Sequence, residues 1–119
     1  MVADRTAGAV VTFSGDVRDN DADRPVSRLE YEAHPGAAAV LAEVAGEVAA
    51  RHLVIAIAVV HRVGTLEVGE TALVAAVSAI HRAEAFAACS DLITTTKQRL
   101  PVWKHQIFSD GTDEWVNSA

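Results

Sequence analysis

Two apolar runs constrain this chain more tightly than any other feature: VIAIAVV at residues 54–60 and TALVAAVSA at residues 71–79, with ten residues between them. Each is apolar at consecutive positions and rich in Val, Ile or Ala, as a strand buried on both faces would be. A parallel pair would need a crossover of roughly a dozen or more residues, so the two are expected to lie side by side and antiparallel. The first is expected at the centre of its sheet. The link between them carries Gly64 and Gly69 and reads as a turn-rich connection.

The other segments fall around that pair. Residues 8–15 (GAVVTFSG) are β-branched and aromatic between glycines and predict a strand. Residues 16–25 are polar and aperiodic, predicting a mobile loop with Arg18 at the strand's exit. Residues 26–33 alternate, predicting a half-buried strand with Leu29 and Tyr31 inward. Val40, Leu41, Val44 and Val48 recur at helical spacing within residues 37–52, and Arg51 and His52 suit the negative end of that helix's dipole. A second helix is predicted over residues 81–99, with Phe86, Cys89, Leu92, Ile93 and Thr96 as its apolar stripe and Pro101 ending it. Residues 102–108 predict a strand, with Trp103, His105 and Ile107 on one face and Lys104, Gln106 and Phe108 on the other. A turn at Asp110-Gly111 leads to a short closing strand or tail at residues 114–116. The order β-β-α-β-β-α-β-β gives an α+β fold, two helices packed on a mainly antiparallel sheet, as one domain over residues 1–119.

Half of the residues are apolar, mostly Ala and Val, so the elements can approach one another closely. The single Cys89 excludes an internal disulfide and a multi-cysteine metal site and suits a reducing compartment. No apolar run reaches the roughly 18 residues of a membrane span. The first residues, with Asp4 and Arg5, lack the apolar stretch of a secretory signal. A cytoplasmic protein with no membrane partner is expected. A net charge of −6 argues against a nucleic-acid partner.

Within that acidic chain, residues 81–105 hold four cations and two acids, a balance of +2, while the remainder balances at −8. A basic island of this kind suits a small anion or an anionic chain terminus. It contains the only two lysines, Lys97 and Lys104; the other eight cations are arginines. Lysine, unlike arginine, can be tuned towards a neutral amine. His81 and Arg82 open the second helix, where the dipole is positive, and fit an anion-binding end. Lys97 closes that helix beside its apolar stripe, where desolvation would depress an amine's pKa. The turn at Pro101 gives Lys104 a route to the same pocket. The five histidines lack metal-ligand spacing, so no metal is expected. Cys89 lies in the apolar stripe and reads as packing.

The ordered set His61-Arg62-Val63-Gly64, Gly69-Glu70, Val77 to Arg82, Ala85 to Cys89, Lys97 and Pro101-Val102-Trp103-Lys104 resembles the large, catalytic subunit of molybdopterin synthase. Gly15-Asp16-Val17-Arg18, Asp110-Gly111 and Trp115-Val116 fit the same pattern, so the resemblance covers nearly the whole chain. It implies an α/β-hammerhead fold and a sulfurtransferase of molybdenum cofactor synthesis that needs no cofactor of its own. A small ubiquitin-like subunit would bring sulfur as a C-terminal Gly-Gly thiocarboxylate. Two sulfurs would pass to cyclic pyranopterin monophosphate, making molybdopterin. The implied assembly is a homodimer of large subunits within a heterotetramer. Lys97 and Lys104 match the catalytic positions; Arg18, His81 and Arg82 match substrate-binding positions; Asp16, Val17, His105 and Gln106 match positions flanking the pocket. The chain departs from the pattern at Thr94-Thr95-Thr96, at Ala37 for a methionine, and at Gln106 where a glutamate is usual. Those departures motivate an alternative, a divergent paralogue that binds the sulfur carrier without turnover.

Overall fold

The computed structural model describes residues 2–117. The elements are β1 (Ala9–Asp16), β2 (Asn20–Asp21), β3 (Arg24–Ala33), α1 (Ala37–Arg51), β4 (Ala56–His61), β5 (Gly64–Glu67), β6 (Thr71–Ala79), α2 (Arg82–Arg99), β7 (Val102–Phe108) and β8 (Asp113–Val116). The fold is α+β, as the sequence predicts, with its strands divided between two antiparallel sheets in a body of 51 × 26 × 21 Å.

The first sheet has the order β1-β6-β4. The two apolar runs pair antiparallel, Ala56 opposite Ser78 and His61 opposite Leu73. The central strand is β6, however, and β4 is an edge. β1 occupies the other flank of β6, and Val60 on β4 is left 61% exposed. Both helices cover the other face, where Val44 and Val48 of α1 and Ala88, Cys89 and Leu92 of α2 bury against Ala75 and Val77 of β6. The buried stripe of α2 is Ala85, Ala88, Cys89, Leu92 and Thr96. Phe86, expected in that stripe, points out at 61% exposure. Small residues let α2 lie close to β6, and a phenyl ring would not fit that spacing. Ion pairs pin the helices together: Arg51 and His52 meet Asp91, and Arg99 meets Glu43 and Glu47.

In the second sheet β3 pairs with β2, β5 and β7, and β8 closes on β7. The link between the apolar runs is therefore not a plain turn. Its residues 64–67 form β5, which carries the fully buried Leu66 into the second core. Gly64 and Gly69, at φ +95° and +89°, make the reversals on either side, a backbone region that glycine enters without a side-chain penalty. Residues 16–25 are likewise not an open loop. They hold a tight hairpin, with Asn20 paired to Pro25 and Asp21 to Arg24 across left-handed Ala22 and Asp23. An irregularity between Val26 and Arg28 shifts the phase of β3, so that Val26, Leu29 and Tyr31 all turn inward. Strict alternation had put Val26 on the opposite face from Leu29.

Candidate active site

A cavity of about 150 Å³ opens where the two sheets meet. Its wall includes Asp16, Val17, Arg18, Asp21, Tyr31, His61, Lys97, Lys104 and Gln106. The predicted turn carries the two lysines there. The amide of Leu100 donates to the Thr96 carbonyl and closes α2 just past Lys97; Pro101 then leads into β7. The His34 amide donates to the Pro101 carbonyl and ties that turn to the end of β3. Lys104 stands opposite Tyr31, and Gln106 opposite Leu29. Strand alternation therefore sets Lys104 and Gln106 into the cavity on successive inward pleats.

Arg18 is placed by backbone. The Val17 amide donates to the Glu70 carbonyl at 2.9 Å, and the Gly69 amide donates back to the Val17 carbonyl at 2.8 Å. That exchange fastens the exit of β1 to the turn before β6 and points residues 17–18 at the cavity. Asp16 accepts hydrogen bonds from Ser14 (2.6 Å) and Thr71 (2.9 Å), which hold its carboxyl below the usual carboxylate range.

The two amines differ in burial: Lys97 is exposed at the rim, and Lys104 is half-buried. Burial pushes the Lys104 amine down, Asp21 opposes that, and Lys97 and Arg18 add to it. Among the described residues, Arg18, Lys97 and Lys104 make no ion pair with a carboxylate within 4.0 Å. Three cations thus face one small cavity, and an anion entering it would meet charge that nothing else in close contact neutralises.

Not all of the predicted site gathers here. His81 and Arg82 lie at the opposite end of α2, roughly 22 Å from Lys97 at 1.5 Å per residue. Both are exposed and outside the cavity wall. Arg99, counted with the basic island, is committed to α1. His105 is on the outward pleat of β7, a consequence of the same alternation that turns Lys104 inward. It stacks on Trp115 with ring centroids 4.3 Å apart and bonds Glu30 (3.0 Å) and Asp113 (2.6 Å). Cys89 is buried and its thiol is pushed up by that burial, in keeping with packing.

Sequence reasoning missed His61, Tyr31 and Asp21 as wall residues. The His61 ring meets Tyr31 edge-on at 4.8 Å, and its Nδ1–H donates to the Arg62 carbonyl at 2.7 Å. A carbonyl only accepts, so Nε2 carries the lone pair. Burial lowers the imidazole's pKa and keeps it neutral. The only cue in the sequence was His61 at the end of an apolar run; nothing in its spacing linked it to residues 31 or 97.

Fold and cavity together define an α+β domain that gathers two lysines and an arginine around one cavity. The chain belongs to the MoaE protein family, whose pattern matches residues 1–99. It is 36% identical over 115 residues to the molybdopterin synthase catalytic subunit of Aspergillus niger, covering 96% of this chain and 64% of that one. It is 41% identical over 111 residues to the subunit of the same name from Oryza sativa subsp. indica, covering 92% of this chain and 58% of that one. The chain therefore spans less than two thirds of the length of these relatives. A chain in the crystal structure of molybdopterin synthase from Staphylococcus aureus superposes with a TM-score of 0.88 at 34% identity, covering 97% of this chain and 84% of that one.

Proposed function

We propose that this chain is the catalytic subunit of a molybdopterin synthase, transferring sulfur from the C-terminal thiocarboxylate of a small carrier subunit to cyclic pyranopterin monophosphate. The observation that carries this reading is the cluster of Arg18, Lys97 and Lys104 around one cavity with no carboxylate in ion-pair contact. The carrier's thiocarboxylate and the substrate's cyclic phosphate are both anions, and fixed cations stabilise charge on either as sulfur leaves the acyl carbon. Lys97, at the rim, is placed to meet an incoming chain terminus and accept or activate its acyl group. Lys104, deeper in the wall, is placed to stabilise developing charge. Asp16, Val17, Arg18 and Gln106 shape the substrate side. His105 is assigned no contact with substrate, because its pleat faces away.

His81 and Arg82 enter this reading through a second copy. The outer face of the first sheet exposes Val10, Val60 and Val74 at 46–61%, an apolar strip of the sort that a like surface covers. In a homodimer, the start of α2 in one protomer would serve the cavity of its partner. Sulfur transfer should then be measurable with thiocarboxylated carrier, cyclic pyranopterin monophosphate and this chain. Lys97→Ala and Arg82→Ala, each inactive alone, should recover about a quarter of wild-type activity when refolded together, since half the dimers are mixed and each mixed dimer has one intact site. No product from the folded wild-type chain contradicts the enzyme reading and favours the carrier-binding alternative. No recovery on mixing contradicts the shared site.

A further inference from the structure

Gln106 is 4% exposed, and its side chain bonds two acids, Asp21 and Glu114. Its Nε2 donates to Asp21 Oδ2 at 2.8 Å and to Glu114 Oε1 at 2.8 Å. Both amide hydrogens are thereby used, and none is left for a ligand. The two acids arrive from different elements, Asp21 from the β2 hairpin and Glu114 from β8, where it stands opposite Gln106 in the β7–β8 pairing. Gln106 shares the inward face of β7 with Lys104, two residues away, and Asp21 lines the same cavity.

We infer that Gln106 is a positioning residue, whose amide draws the carboxylates of Asp21 and Glu114 to the wall beside Lys104 and so holds Lys104 as an ammonium. This rests on the cavity being the sulfur-transfer site, and it gives Lys104 the charge-stabilising part in that reaction. The need is physical. Lys104 is half-buried and faces two other cations, Lys97 from α2 and Arg18 from the exit of β1. The other titratable groups on the wall are the phenol of Tyr31 on β3, the neutral imidazole of His61 on β4 and the carboxylate of Asp16 on β1. The Asp16 carboxylate is bound by Ser14 and Thr71. Asp21 and Glu114 are the acids whose charge acts on Lys104. Neither pairs with it directly within 4.0 Å, so an anionic ligand can still reach the amine.

A glutamine suits this position and a glutamate does not. A carboxylate at 106 would have no hydrogens to give and would put three anions in mutual contact. The departure at 106 therefore goes with the acids around it: an amide bridges Asp21 and Glu114 where a third carboxylate would repel them.

The chain's two lysines make the test direct. Trace acetylation with acetic anhydride modifies only the neutral amine, and cleavage after Arg82 and Arg99 places Lys97 and Lys104 on separate peptides. The rate at Lys104 between pH 7 and 10 then reports its protonation with no need for sulfur transfer. Asp21→Asn keeps an acceptor for Gln106 and removes the charge; Lys104 should label about fivefold faster at pH 8, its profile moving to lower pH. Gln106→Met, similar in size but without donors, should shift the profile the same way by about twofold, and Glu114→Gln likewise. Lys97 should change less than twofold in each. Circular dichroism identifies folded variants, and the test is read on those. Wild-type labelling at Lys104 in the folded variants overturns the inference, whatever the activity assay gives. Loss of the sulfur-transfer reading would instead show as full activity in Lys104→Met, with the labelling shifts intact.

Discussion

The two faces of β7 use neighbouring residues for opposite ends. Inward, Lys104 and Gln106 carry polar groups into a cavity and leave a cation without a carboxylate in contact. Outward, His105 is saturated: both ring nitrogens bond carboxylates and the ring lies flat on Trp115. A histidine with two acids and an aromatic neighbour is fully occupied, and what it offers is sheet cohesion. A lysine held near acids but not against them remains available. Nearness in sequence to a cavity lysine is therefore a poor guide to function on a strand, where a step of one residue reverses the face.

The sharpest way to break this comparison is to substitute on each face in turn. Lys104→Met should lower sulfur transfer by about a hundredfold or more while leaving the thermal midpoint nearly unchanged, since its loss falls on charge stabilisation in the reaction. Gln106→Glu comes next. It should destabilise the fold by about 1–3 kcal/mol at pH 8 through a buried acid beside Asp21 and Glu114. Burial and like charge raise that new acid's folded pKa above its unfolded value, so the folded state binds more protons and stability falls as pH rises through the folded pKa. Chemical denaturation at pH 4.5 and pH 8 reads the difference. An equal loss at both would mean that geometry, not charge, dominates at this site.

His105→Ala should have the smallest effect on the reaction and a visible one on the fold. Activity should stay within about threefold, with a loss of about 1 kcal/mol in denaturant unfolding from the stack and the ion pairs. The bond to Asp113, then that to Glu30, raises the His105 pKa. Its contribution is present in full below the unfolded value near 6.5 and disappears as pH rises through the folded one. Asp91 runs the other way on the helices. Hydrogen bonds from Arg51 and then His52 hold its pKa at about 2, against 3.8 unperturbed, so its clamp between α1 and α2 weakens as pH falls from 3.8 towards 2.

Much of the scaffold was legible in the sequence. Ten residues between two apolar runs left only an antiparallel pairing, and the faces of β7 followed from simple alternation. The centre of the first sheet was not legible, because the composition of β4 and β6 does not say which of them β1 joins. β5 and the β2 hairpin were missed for a related reason. Each is only a few residues long: β5 is held by pairing with β3, far off in sequence, and the β2 hairpin turns through left-handed Ala22 and Asp23 with no glycine to announce it. At the cavity, the meeting of Lys97 and Lys104 was legible because a helix end and a strand start joined at one proline are close by geometry. His61 and Asp21 were missed because only tertiary packing brings residues 21, 61 and 104 together. His81 and Arg82 were expected to form an anion-binding helix end, but helix length separates them from the cavity of their own chain.

Sulfur transfer by the paired lysines of this cavity, as proposed, is open to one direct test. The direct measurement is dithiolene formation by Lys97→Ala from thiocarboxylated carrier, alongside calorimetric binding of that carrier. Product should fall by about a hundredfold or more, with carrier affinity within about tenfold of wild type. Product formation at the wild-type rate would contradict the proposal.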